Sequence, residues 1–121
     1  LGGASGGLTC YMDDGHLVYE YNLMIIERYI AKSKAKIAPG KHVITVDTTL
    51  AKPGAPATIV MSVDGTEVAN MKTKRTVPLA FTASETFDVG ADLGSPVSRD
   101  YEERRPFEFN GQIEKVFVEL K

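Results

Sequence analysis

Thr58-Ile59-Val60-Met61-Ser62-Val63-Asp64-Gly65-Thr66-Glu67-Val68-Ala69-Asn70-Met71 decides the fold class. The first six residues are mostly apolar and rich in β-branched side chains, which suits a central strand. Asp64-Gly65 matches the type I′ turn that right-twisted hairpin strands require. The residues from Thr66 to Lys74 then return as a partly exposed strand.

The same grammar recurs outward from this hairpin. On the N-terminal side, Val43-Ile44-Thr45-Val46-Asp47-Thr48-Thr49 is β-branched, and Ala51-Lys52-Pro53-Gly54-Ala55-Pro56 separates it from the central run as a loop. Ala38-Pro39-Gly40-Lys41 is a turn with proline at its first corner. Glu27 to Ala35 has helix-favouring composition, but Tyr29, Ala31, Ser33 and Ala35 alternate against Arg28, Ile30, Lys32 and Lys34, which reads as a strand. Earlier still, Leu8-Thr9-Cys10-Tyr11-Met12 and His16-Leu17-Val18-Tyr19-Glu20-Tyr21-Asn22 flank Asp13-Asp14-Gly15 as a hairpin. Leu17, Tyr19 and Tyr21 form the expected core face, with Val18, Glu20 and Asn22 opposite.

On the C-terminal side, Thr76-Val77-Pro78-Leu79-Ala80-Phe81 contains a proline and belongs on an edge or beside a bulge. Glu85-Thr86-Phe87-Asp88-Val89 leads into a long interruption that ends at Tyr101. Residues 107–120 close the chain as a strand, with Ile113, Val116, Val118 and Leu120 alternating against charge and Asn110-Gly111 marking a bulge. The sum is eight to ten short strands and no helix. The expectation is one all-β domain over residues 1–121, an antiparallel β-sandwich of jelly-roll, concanavalin-like type.

Composition narrows the function classes. The net charge of −2 gives no footprint for nucleic acid or an anionic membrane, and no apolar run approaches the roughly twenty residues of a spanning helix. Cys10 is the only cysteine, expected as a small buried hydrophobe. His16 and His42 sit beside turns and read as solvated. No Gly-x-Ser-x-Gly elbow, phosphate loop or metal-spaced histidine pair is present, so the chain is read as non-enzymatic with no cofactor. The opening Leu1-Gly2-Gly3-Ala4-Ser5-Gly6-Gly7 is expected to be the start of a fragment of a longer polypeptide.

The interruption Thr86-Phe-Asp-Val-Gly-Ala-Asp-Leu-Gly-Ser-Pro-Val-Ser-Arg-Asp-Tyr101 holds the candidate site. Asp88, Asp92 and Asp100, with Ser95, offer oxygens of the kind calcium prefers, although their spacing is not that of an EF-hand. The same residues beside glycine and proline also make ordinary turns. Tyr101, between Asp100 and Glu102, is the aromatic proposed as a sugar platform. The both-signed run from Arg99 to Arg105 reads as an interface rim, with Arg99 and Arg104 its candidate contacts.

Three blocks carry a family resemblance. Asp14-Gly15-His16-Leu17-Val18-Tyr19-Glu20-Tyr21-Asn22 is the first, and Pro39-Gly40-Lys41-His42 with Val63-Asp64-Gly65 the second. The third runs from Glu85-Thr86-Phe87-Asp88-Val89-Gly90-Ala91-Asp92 through Ser95-Pro96-Val97 to Tyr101, closed by Pro106-Phe107 and Phe109-x-Gly111-x-Ile113. Together they resemble the C-terminal β domain of large bacterial arylsulfatases. The resemblance implies a parent that hydrolyses sulfate esters with a formylglycine, made in a Cys/Ser-x-Pro-x-Arg motif, beside calcium. Cys10 is followed by Tyr11-Met12-Asp13-Asp14, so no catalytic residue carries over. This domain is then expected to be an accessory one, packed on the sulfatase catalytic domain or a neighbouring subunit. The alternative is a lectin-like carbohydrate-binding module, with sulfated glycans as candidate ligands.

Overall fold

The computed structural model describes residues 1–78 and 87–120. Seven strands are present among them: β1 (Gly2–Gly3), β2 (Gly6–Asp13), β3 (His16–Leu23), β4 (Glu27–Lys32), β5 (Ile44–Leu50), β6 (Ala57–Val63) and β7 (Thr66–Lys72). They form two antiparallel sheets, β1-β2-β3-β4 and β5-β6-β7, in which every neighbour is also a neighbour in sequence. The fold is all-β.

Both two-residue turns follow from their residues. Asp14-Gly15 and Asp64-Gly65 all take positive φ (48°, 78°, 52° and 83°), as the type I′ hairpin demands. They fix the registers Asp13↔His16 and Val63↔Thr66. A further hairpin lies inside the N-terminal glycines, pairing Gly2 with Gly7 and Gly3 with Gly6. A Cβ on Gly7 would stand 2.5 Å from the Leu1 carbonyl oxygen, so this close approach of backbones admits no side chain.

Register then sorts the side chains. Leu8↔Tyr21↔Tyr29 and Cys10↔Tyr19↔Ala31 lie on one face of the first sheet, beside Met12↔Leu17. In the second sheet, Ala57, Ile59, Met61 and Val63 alternate inward along β6. These two faces form a single buried cluster, with Val46, Val68, Ala69, Met71 and Val77 packed against it. Each fully buried aliphatic contributes roughly 1.5–3 kcal/mol. Tyrosines tie the layers together: the Tyr19 hydroxyl bonds the Thr48 side chain, and the Tyr21 hydroxyl accepts from the Val77 amide at 2.9 Å.

The structure departs from five expectations. Residues 107–120 form no strand and are largely exposed, because alternation specifies a face but hydrogen bonding needs a partner strand. Cys10 is exposed, since it lies on β2, whose far side is covered only by the two-residue β1; apolar surroundings still push its thiol up to about 11. Val18, Glu20 and Asn22, expected on the open face, are buried too. A 3-10 turn, Arg99–Arg104, occupies part of the interruption. Of the proline-containing strand, residues 76–78 are not in a strand, and 79–81 lie outside the described residues, as do Glu85 and Thr86.

Candidate functional site

The outer face of the first sheet presents Thr9, Tyr11, Val18, Glu20, Asn22 and Arg28, read from the registers Thr9↔Glu20, Tyr11↔Val18 and Asn22↔Arg28. Residues 92–107 fold back over it. Asn22 anchors the cover: its Nδ2 donates to the carbonyls of Ala4 (3.0 Å) and Val97 (3.1 Å), and its Oδ1 accepts from the Ile25 amide. The Ser95 hydroxyl accepts from the Ala4 amide at 3.0 Å. Ser98 caps the 3-10 turn by accepting from the Asp100 amide, and its hydroxyl lies 3.5 Å from that of Tyr11.

Three rings fill the space beneath. Tyr101 stacks on Phe107 with centroids 4.5 Å apart, and Tyr11 meets both edge-on at 4.9 and 5.6 Å. Arg104 sits 4.7 Å above Phe107 and donates to Asp13 and to the Asp100 carbonyl, a cation–π arrangement at the rim. Tyr101 is only 1% exposed. Its hydroxyl donates to the Asp92 carboxylate and lies 3.3 Å from Thr9 Oγ1. Burial, reinforced by that carboxylate, holds the phenol above its ordinary pKa.

A charged chain crosses the covered face. Glu20 is 0% exposed; Arg28 Nε donates to its Oε1 at 2.6 Å, and Arg28 Nη2 reaches Asp100 Oδ1 at 3.2 Å. Hydrogen bonding to Glu20 raises the guanidinium pKa above its ordinary value. Among the described residues, Glu20 Oε2 is buried with no hydrogen-bond partner. A fully buried carboxylate with one unsatisfied oxygen depends on its single cation.

The residues singled out from sequence act mostly as separate internal fastenings. Asp88 accepts from the Leu93 amide (2.9 Å), Asp92 from the Val97 amide (2.8 Å), and Asp100 from Arg28. Among the described residues no three acidic, histidine or cysteine side chains converge as metal ligands. With its ring interior, Tyr101 is not a stacking platform. Arg99 alone faces an open cleft of about 290 Å³, shared with Ala4, Ile25, Pro96, Val97 and Glu102. Nor are the histidines simply solvated. His16 Nδ1 bonds the Ser33 carbonyl oxygen at 2.9 Å, and His42 bridges Asp64 (2.6 Å) and the Ala38 carbonyl (2.5 Å). Sequence reasoning missed Glu20, Asn22 and Arg28; Glu20 and Asn22 signalled themselves only as a polar pair at period two on β3, and Arg28 sits opposite Asn22 on β4.

Beyond the cover the chain changes character. Phe87, Val89 and Leu93 are exposed, as are Phe109, Ile113, Val116 and Val118, with Phe117 82% and Leu120 92% exposed. The Phe109 amide donates to the Gly90 carbonyl at 2.6 Å, and an open cleft of about 520 Å³ lies among Val89, Gly90, Phe109, Ile113 and Val116. No family model, curated protein or solved structure matches the chain. The site is thus read from its own geometry: an interior network that locks residues 92–107 down, and an apolar arm that the locked segment presents.

Proposed function

We propose that this chain is the non-catalytic C-terminal β domain of an arylsulfatase-like hydrolase, and that its role is docking or assembly. The observation that carries the docking role is the exposed apolar side chains on either side of the cover, Phe87 and Val89 before it and the arm from Phe109 to Leu120 after it. Large contiguous apolar exposure on a folded domain marks an interaction surface, and here the arm is held out by a fastened base. The parentage rests on the three sequence blocks that resemble the family. A jelly-roll sandwich belongs to the same proposal. Two sheets sharing one core support it, while the described strands are joined only to their sequence neighbours.

In this reading the partner is the sulfatase catalytic domain of the same polypeptide or of a neighbouring subunit. The parent's calcium and formylglycine lie in that domain, and this chain supplies shape. The test is capture of the separately expressed catalytic domain by this chain. Wild type is expected to bind it, and Phe117→Asp with Leu120→Asp to abolish binding. A Cys/Ser-x-Pro-x-Arg motif upstream of Leu1 would establish the parent's chemistry. Retention on sulfated polysaccharide without catalytic-domain binding would favour the carbohydrate module instead, and sulfate-ester hydrolysis by the chain alone would overturn the non-catalytic assignment.

A further inference from the structure

β5 is a seven-residue strand, Ile44-Thr45-Val46-Asp47-Thr48-Thr49-Leu50, hydrogen-bonded to β6 on one side. Among the described residues its other edge is unpaired. Its pairing with β6 runs unbroken over all seven residues, and it contains no proline and no lysine. Those are the devices that normally blunt an exposed edge. Residues 112–120 have the converse defect. They alternate as a strand does, carry exposed apolar side chains, and make no backbone–backbone hydrogen bond among the described residues. Within the chain they are held by the Lys41–Glu114 ion pair at 3.0 Å, between largely exposed side chains. Such a surface pair contributes little and releases easily.

Donor and acceptor match in length and chemistry. An antiparallel register placing Lys115 opposite Asp47 also sets Val116 opposite Val46 and Val118 opposite Ile44. Ile44 and Val46 lie on the face of β5 that pairs across from the buried Val63 and Met61 of β6. Val116 and Val118 would therefore extend the apolar core, while Lys115 and Asp47 would pair on the outer face. A shift by one residue turns the two valines outward.

We propose that residues 112–120 of one copy add as an antiparallel strand to the β5 edge of a second copy, reciprocally, giving a two-fold strand-exchanged dimer. This rests on the reading of the arm as a docking surface and names its partner. A second copy is favoured because every chain carries both an open edge and an unpaired arm. One two-fold operation pairs the β5 edge and the arm of both copies at once, whereas a heterologous partner engages only one of the two. Main-chain hydrogen bonds supply the attachment, and the alternating side chains supply the register.

The experiment is light scattering after size-exclusion chromatography across a concentration series. The chain is expected at twice its 13.2 kDa mass, and deletion of residues 112–121 should give a monomer with unchanged far-UV circular dichroism. Asp47→Lys and Lys115→Asp should each weaken the dimer about fivefold, and the double exchange should restore it. A monomeric wild type, a dimer that survives the deletion, or a double exchange no tighter than either single would overturn the proposal. If the chain is monomeric yet captures the sulfatase catalytic domain through the arm, the second copy is wrong and the docking role stands. If it does neither, both fall.

Discussion

Replacing Arg28 with Met strands Glu20. That carboxylate is fully buried, and among the described residues its Oε2 has no partner and its Oε1 is held by Arg28 Nε at 2.6 Å. Removing one member of a buried pair costs about 3–5 kcal/mol, because the desolvated charge is left uncompensated. The Arg28 side chain is 30% exposed, so solvent screens part of the attraction and the lower end, about 3 kcal/mol, applies. Losing the exposed Asp100 contact adds a few tenths. Against a total of about 5–15 kcal/mol, this is a large fraction. Urea unfolding should show a midpoint lower by about 1–3 M, given a slope of about 1–3 kcal/mol per molar. Arg28→Met combined with Glu20→Leu should recover most of the loss, since an apolar pair of similar volume replaces a buried ion pair at little or no cost. A loss below about 1 kcal/mol for Arg28→Met, or a double variant no more stable than the single, would refute the reasoning.

Three other outcomes follow from local geometry. Tyr101→Phe removes the hydroxyl shared with Asp92 and Thr9 and should cost about 1–2 kcal/mol in urea unfolding; a neutral effect would mean the cover is held by ring packing alone. Ile25 is an exposed β-branched residue at φ 68°, a conformation that costs L-residues about 1–2 kcal/mol, so Ile25→Asn should stabilise by about 1 kcal/mol, and a lower melting temperature would sink the strain argument. The Asp64 hydrogen bond, and then the Ala38 carbonyl, raise the pKa of His42. The Val43 amide, and then His42, lower that of Asp64. The histidine's contribution is complete below its unfolded value of about 6.5 and fades as pH rises through the higher folded value; the carboxylate's is present above about 3.9 and fades on acidification. The stability gap between wild type and His42→Gln should therefore be widest near pH 5–6 and shrink above neutrality, and a gap flat with pH would exclude the linkage.

What could be read in advance was local. Asp14-Gly15 and Asp64-Gly65 announce their turns because positive φ at two consecutive positions restricts the residues that fit. Leu17, Tyr19 and Tyr21 announce a core face because period two allows one apolar side. The same alternation was silent about Glu20 and Asn22. Whether a polar face meets water or a covering segment was decided by Val97, Ser98 and Tyr101, more than seventy residues further on. Residues 112–120 show the opposite failure. Their pattern is that of a strand, yet a strand is a relation between two segments, and sequence shows only one of them. Asp88, Asp92 and Asp100 suggested a metal by their residue type, but each instead accepts from a different partner, the Leu93 amide, the Val97 amide and the Arg28 guanidinium.

The burial of β3 on both sides has a consequence for how the molecule assembles. During synthesis the first sheet can pair as soon as Lys32 has emerged, since its four strands are contiguous in sequence. Glu20 and Arg28 are then still hydrated, and only the arrival of residues 92–107 squeezes water from between them. The last event in forming this face is thus a dehydration, and the first event in opening it is a rehydration. The cover should detach as a unit ahead of global unfolding. Amides bonded within it, such as those of Val97 and Asp100, would exchange with solvent sooner than those of the β2–β3 hairpin it shelters.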